Sequence, residues 1–355
     1  MALPLTIGDR APGVLGATAS GRFFSLDTQA GRPALLVALG GLEPEGAARI
    51  LDRLGAAQPG LATAGVDLVP MVPPLQPFTA RFAADPSVAD LLVYVTGAGG
   101  LEQWDVAGRG GAVLIDRGGR IVDLAEIAED TDLSALLDRS AARVSAAASQ
   151  VRAACAPVLM IPNVASPELC QALIAHFEAS PHAQGVMAAF NDDGAYAKLD
   201  ESKKRRRDIE LTPESPLYAE VVGLLSGRVV PEIKRAFQAD MANADRILIA
   251  RYDDTGGYFK RHRDNAAPHT AFREFALSLN LNTHAYEGGE LRFPEYDDHR
   301  YNPPAGGAIV FSAALLHEAA PVLKGSRYVL LSFLGSAAAQ ARLTAWTESQ
   351  QAKAS

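Results

Sequence analysis

The apolar pattern of this 355-residue chain changes character once, near residue 156, and that change constrains its fold more than any other feature. Before it, short continuous apolar runs alternate with segments of helical period. After about residue 245, strand-like runs follow one another, separated by Gly, Pro and Asn turns. Length and pattern together predict two domains: an α/β layered domain, then an α+β domain whose strands form a sandwich or barrel with helices packed outside.

In the first half, Pro33 to Leu39 is continuously apolar, as in a strand buried on both faces. Gly40-Gly41 ends it. Ala47, Ile50, Leu51 and Leu54 then follow the i, i+3, i+4, i+7 spacing of a helix over 44–57. Val66 to Val72 reads as a second buried strand, broken by Pro73-Pro74. Ala112 to Ile115, the turn Asp116-Arg117-Gly118-Gly119 and Arg120 to Leu124 read as a hairpin. The domain is set at 1–140, with a helical linker at 141–155.

The second domain is set at 156–337 and a tail at 338–355. It opens on a strand, Val158 to Ile161. A helix follows from Pro167 to about Ala179, with Ser166 as N-cap and Pro167 in the first helical position. Residues 216–240 read as helical. The polar segment 191–208 ends in the run Lys203 to Arg207, which is expected to be a solvated loop near the pocket entrance, with contact to an anionic substrate or nucleic acid as the other reading.

Composition excludes several classes. The formal net charge of -8 makes the chain a poor general nucleic-acid binder. No run of about 18 apolar residues marks a membrane span. The N-terminus lacks the basic and apolar segments of a signal peptide. The two cysteines, Cys155 and Cys170, fit neither a disulfide scaffold nor a zinc pattern and are expected to be reduced core residues. A cytoplasmic setting is expected.

The chemistry lies between Arg251 and Arg327. In Lys260-Arg261-His262-Arg263-Asp264, residues two apart on a strand point to one face, so His262 and Asp264 converge. His317 follows 53 residues later, beyond the Gly306-Gly307 turn and the apolar strand Ala308 to Phe311. Two imidazoles and one carboxylate on one face of a metal leave open positions, as in non-haem iron(II) oxygenases. Zinc enzymes use the same donor set, and the ligands alone do not separate the metals. Arg327, ten residues after His317, begins the apolar strand Tyr328 to Leu334. A guanidinium entering an apolar pocket needs an anion, and a co-substrate carboxylate would satisfy it.

These residues carry a resemblance. Arg251-Tyr252, Gly256-Gly257, His262-Arg263-Asp264, Leu281-Asn282, Gly288-Gly289-Glu290-Leu291-Arg292-Phe293-Pro294, and His317 with Arg327 at plus ten, in that order, make residues 156–335 similar to the prolyl 4-hydroxylase-like branch of the Fe(II)/2-oxoglutarate oxygenases. The resemblance implies a double-stranded β-helix (jelly roll) with His262, Asp264 and His317 as iron ligands. It implies that Arg327 holds the distal carboxylate of 2-oxoglutarate, with Tyr252 and Asn280 as further contacts. Oxidative decarboxylation of 2-oxoglutarate by O2 would accompany hydroxylation of a C–H bond on a peptidyl residue, proline among the candidates, or on a small metabolite. The resemblance also implies ascorbate as a candidate reductant. Because Asp264 is present, halogenation is not expected.

Gly8-Asp9-Arg10-Ala11-Pro12 and Ala112-Val113-Leu114-Ile115-Asp116 with Gly118-Gly119 resemble a thioredoxin-like fold of the peroxiredoxin type. Residues 1–154 contain no cysteine, and such redox chemistry needs a thiolate. The first domain is therefore expected to be redox-inactive, serving dimerisation, substrate recruitment or cover of the active site. His176, His182, His269, His284 and His299 are expected to be structural or exposed. Two competing functions remain: a metal-dependent hydrolase or isomerase on the same ligands, which leaves Arg327 unexplained, and a non-catalytic binding scaffold, which leaves the whole constellation unexplained.

Overall fold

The computed structural model describes residues 5–29, 31–40, 42–73, 91–95, 101–104, 110–128, 130–143, 154–185, 187–191, 194–198 and 200–354. The chain divides into two compact units, Met1–Gln150 and Val151–Ser355. Residues 144–153, most of the expected linker, lie outside the described residues.

The first unit is an α/β layer. Its strands are β1 (Leu15–Thr18), β2 (Phe23–Ser25), β3 (Ala34–Ala38), β4 (Asp67–Val72), β5 (Val93–Val95), β6 (Gly110–Ile115) and β7 (Ile121–Ile127), in the sheet order β2-β1-β5-β4-β3-β6-β7. Among the described residues, its α-helices are α1 (Pro44–Thr63) and α2 (Leu133–Arg143). β3, β4 and β5 run parallel and the other pairs antiparallel. β3 is wholly buried because successive side chains enter different cores: Leu35 and Val37 pack with α1, whereas Leu36 and Ala38 pack with Trp104 and Val113. Helix α1 runs six residues past the expected end at 57, through Pro59, and β1, β2 and β5 were not anticipated. Their runs of three or four residues are too short for periodicity to register.

The second unit opens with β8 (Val158–Ile161), α3 (Pro167–Ala179), β9 (Ala183–Gln184) and the hairpin of β10 (Met187–Asn191) and β11 (Gly194–Lys198). β12 (Lys204–Arg205), β13 (Arg207–Leu211), α4 (Tyr218–Leu224) and α5 (Val230–Phe237) follow, with a π-helical turn at Leu225–Val229 joining the two helices. Next come β14 (Asn243–Asp253), β15 (Tyr258–His262), β16 (Phe275–Asn280), β17 (Tyr286–Gly288), β18 (Leu291–Arg292), β19 (Ala308–Ser312), β20 (His317–Ala319) and β21 (Val322–Gly335). The tail is helix α6 (Ala337–Ala354). Ser166 caps α3 as expected, accepting a hydrogen bond from the Leu169 amide at 3.2 Å.

Two sheets organise this unit. The larger has the order β8-β19-β16-β21-β14-β13-β9, with β17 also on β21, and the smaller has the order β12-β15-β20-β18. Period two divides the larger sheet cleanly. Ile247 and Ile249 of β14, Leu277 and Leu279 of β16, and Leu330 of β21 join a core with α3 and the helical segment 218–237. Ala250 and Tyr252, Ala276, Ile309 and Phe311, and Val329 face the other way, toward Leu291, Phe293 and Ala319 of the smaller sheet and its following loop. That inner face also receives Ser278, Asn280 and Arg327 by the same alternation. The unit is thus a β-rich jelly roll with helices on one outer face.

The Lys203–Arg207 run departs from expectation. Lys204 is 3% exposed and the Arg206 side chain is largely withdrawn from solvent, whereas Lys203, Arg205 and Arg207 are turned outward. The run is extended and pairs with β15 and β14, so its side chains alternate instead of fanning into solvent.

Candidate active site

His262 and His317 are direct cross-strand partners on β15 and β20. Side chains of paired residues project to the same face, which brings the two rings to a centroid separation of 4.2 Å. Asp264 lies just beyond the end of β15, in a turn and not on the strand itself. Its amide donates to the Ala313 carbonyl at 2.9 Å, which turns the carboxylate back toward the histidines.

The three side chains converge so that one donor atom from each lies within 4.8 Å of the others. Nε2 of His262 is 3.3 Å from Asp264 Oδ1, and Nε2 of His317 is 3.4 Å from Oδ2. Nδ1 of His262 sits 2.7 Å from the Lys260 carbonyl and Nδ1 of His317 sits 3.0 Å from that of Leu315. A carbonyl only accepts, so each Nδ1 carries the proton and each Nε2 presents its lone pair to the carboxylate. Lone pairs facing one another at this range call for a cation among them, and two imidazoles with one carboxylate suit iron(II) or zinc alike. Burial pushes His317 down to about 4, against the opposing pull of Asp264, which keeps its ring neutral and ligating at neutral pH. Phe259 stacks on His262 at 3.5 Å between centroids, and Phe311 meets His317 edge-on at 4.7 Å.

A narrow cavity of about 60 Å3 leads from these ligands to Arg327. Arg327 is 2% exposed. Its Nη2 donates to Asn280 Oδ1 at 3.1 Å and to Ser278 Oγ at 3.3 Å, both neutral, and its Nε is buried with no protein acceptor. No carboxylate among the described residues pairs with it. A buried guanidinium held only by neutral groups is a receptor for an anion, and a dicarboxylate chelating a metal at the triad would meet it. Tyr252 is the cross-strand partner of Arg327 and lines the same cavity, its ring 5.3 Å from the guanidinium carbon.

Asn280 is the neighbour that orients Arg327. It was expected to touch the co-substrate. Its Nδ2 instead donates to Asn302 Oδ1 at 2.7 Å and to the Pro303 carbonyl at 3.0 Å, and its Oδ1 receives Arg327. The amide is consumed by the protein, and its reach into the cavity is through Arg327.

Sequence reasoning missed Arg206 and Ser278. Arg206 lines the cavity, donates to the Tyr252 hydroxyl at 3.1 Å and pairs with Asp208 at 2.7 Å. Burial works against its charge, but Asp208 outweighs that and keeps it protonated. Lys204, Arg206 and Asp208 at steps of two would have marked an inward strand face, as would Ser278 two residues before Asn280. Of the other histidines, His182 stacks on Phe177 and pairs with Arg207, and His299 pairs with Asp297, both outside the cavity.

Comparison with known proteins bears on the same region. Residues 247–335 match the model of the 2OG-Fe(II) oxygenase superfamily. A PKHD-type hydroxylase from Picosynechococcus sp. is 29% identical over 180 residues, covering 50% of this chain and 77% of the relative. Another from Paraburkholderia xenovorans is 30% identical over 144 residues, covering 38% of this chain and 63% of the relative. Among solved structures, a Pseudomonas putida prolyl-4-hydroxylase aligns with 51% of this chain and 93% of its own at 19% identity and a TM-score of 0.39. A Xanthomonas campestris peroxiredoxin Q aligns with 39% of this chain and 96% of its own at 16% identity and a TM-score of 0.32.

Proposed function

We propose that the C-terminal domain, a 2-oxoglutarate- and iron(II)-dependent dioxygenase, hydroxylates a C–H bond of a polypeptide residue, with proline the leading candidate and a small metabolite the alternative. The observation that carries the reading is the pairing, in one cavity, of the His262, Asp264 and His317 cluster with a buried Arg327 that has no carboxylate partner among the described residues. A hydrolase or isomerase on the same ligands has no use for that guanidinium. The curated relatives are named PKHD-type hydroxylases, which supports hydroxylation; proline rests on the sequence resemblance alone.

Iron(II) bound with 2-oxoglutarate supplies the oxidising chemistry, consuming O2 and releasing succinate and CO2. The residues of this chain set the geometry. His262, Asp264 and His317 would hold the metal. Arg327 pairs with the distal carboxylate of the co-substrate, and Tyr252 packs beside it. Phe259, Phe311, Leu291 and Ala319 line the same cavity and keep water from the metal.

The N-terminal domain, read as thioredoxin-like, has no cysteine and is assigned an auxiliary role in dimerisation, substrate recruitment or cover of the site. Cys155 and Cys170 are both free thiols of the second unit, which suits a reducing, cytoplasmic setting. No helix among the described residues is long and apolar enough to cross a membrane.

The test needs no primary substrate. Iron(II) and 2-oxoglutarate are added anaerobically to metal-free protein, and the visible charge-transfer band of the chelate is recorded. A band that weakens in Arg327→Ala and His317→Ala supports the assignment. Folded, iron-loaded protein with no band would move the metal hydrolase reading ahead.

A further inference from the structure

The outer face of the smaller sheet carries a groove of about 720 Å3, separate from the cavity that holds the ligand cluster. Phe259, Ala319 and Leu291 are aligned across β15, β20 and β18 and point inward to the cavity. The residues between and beside them point outward. Lys203, Lys260, Arg261 and Arg292 rim the groove, with Glu318 among them and Ala319, Ala320 and Pro321 forming its apolar floor beside Tyr258.

The charge balance is uneven. Arg261 and Arg292 share the single carboxylate of Glu318, at 3.4 and 4.0 Å. Lys203 and Lys260 have no acidic partner among the described residues. The four cations and one anion leave a surplus of three positive charges in one groove of a chain whose net charge is -8. Such a local excess attracts an anionic segment and steers it.

The groove and the active site are joined at one edge. β12 is the outer strand of the smaller sheet, and the segment bearing it sends Arg206 into the inner cavity and Lys203 into the outer groove. Ala319 borders both. A chain crossing that edge would have one residue in the cavity and its flank in the groove.

We infer that this groove is a docking site for an acidic segment of a polypeptide substrate, flanking the residue presented to the metal. The inference rests on the proposal that the substrate is a polypeptide. Alternating carboxylate and apolar side chains match a cationic rim over an apolar floor. A phosphodiester strand offers charge but only one aromatic surface, Tyr258, on which to stack its bases.

The experiment uses the full chain with iron(II) and 2-oxoglutarate, without O2. A fluorescein-labelled peptide alternating Glu and Leu around a central Pro is titrated by anisotropy, beside its Gln counterpart, an oligouridylate and phosphatidylserine vesicles. The acidic peptide is expected to bind in a salt-dependent manner and the Gln peptide at least tenfold more weakly. The variant carrying Lys203→Glu and Lys260→Glu is expected to lose at least tenfold in affinity. Lys234→Glu, on α5 and outside the groove, is expected to change affinity less than twofold. Unchanged binding in the double variant would overturn the inference, as would oligouridylate or vesicles binding through the same lysines more tightly than the peptide. The charge-transfer band, read on the same samples, separates the two claims. A band without peptide binding sinks the groove alone, and peptide binding without a band sinks the oxygenase reading alone.

Discussion

Nη2 of Arg327 lies 3.1 Å from Oδ1 of Asn280, and the Asn280 amide is held in that orientation by Nδ2 bonds to Asn302 and Pro303. The guanidinium is therefore aimed by a neutral acceptor that leaves its charge free for an incoming carboxylate. Replacing Asn280 with Leu leaves a buried donor unmet, at a cost of about 1–3 kcal/mol. The expected result is a roughly tenfold weaker 2-oxoglutarate affinity with iron affinity unchanged, measured by anaerobic titration of the chelate band. Asn280→Asp is expected to weaken it further, since a buried carboxylate would occupy the guanidinium. Wild-type affinity in both variants would show that Asn280 does not position Arg327.

Gly289 supplies the floor under the same side chain. Its φ of +72° favours glycine, and a Cβ there would sit 2.9 Å from Arg327 Cδ and 3.0 Å from Val322 Cγ2. Gly289→Ala is expected to displace Arg327 and raise the KM for 2-oxoglutarate, with the iron content of the purified protein retained. Unaltered KM in a stably folded variant would mean that the loop absorbs the methyl group.

The ligand cluster is expected to fail as a unit. Asp264→Ala, His262→Ala and His317→Ala should each cut iron-dependent 2-oxoglutarate consumption by at least about a hundredfold, because two remaining donors cannot hold the metal in the required geometry. Metal analysis after gel filtration should show iron well below one equivalent. Full turnover in Asp264→Ala would remove the carboxylate from the ligand set.

Lys204 predicts a pH-dependent stability. It is 3% exposed, and burial lowers its ammonium from 10.5 to about 7, with Asp208 at 3.7 Å only partly compensating. Below pH 7 the group is charged in the folded and unfolded chain alike, and the burial cost is fully present. Between 7 and 10.5 the unfolded chain binds more protons, so stability rises with pH and the cost disappears. Lys204→Met is expected to raise Tm by about 3 °C or more at pH 6.5, with the gain shrinking by pH 9.5, followed by calorimetry. An equal gain at both values would assign the effect to packing.

The ligands and Arg327 were legible in the sequence because metal and anion chemistry restrict residue type, and because His262 and Asp264 are close along the chain. Ser166 and Pro167 were legible for a similar reason, since a helix start is a local event. Arg206 was not. Its run reads as a charged stretch of the kind usually solvated, and only its pairing with distant strands turns alternate members inward. The contacts of Asn280 were not legible, because the partners of its amide come from Asn302, Pro303 and Arg327, up to 47 positions away.

The sequence by itself determined which residue types stand in which order, and hence the alternation that divides each strand into two faces. It determined the two-unit pattern for the same reason, since periodicity is local. Only the tertiary structure decided which face of the 203–208 run looks into the cavity and which lines the outer groove. That choice depends on hydrogen-bonded register between β12 and β15 and between β13 and β14, whose paired residues lie 36 to 55 positions apart and whose pairing no local pattern encodes.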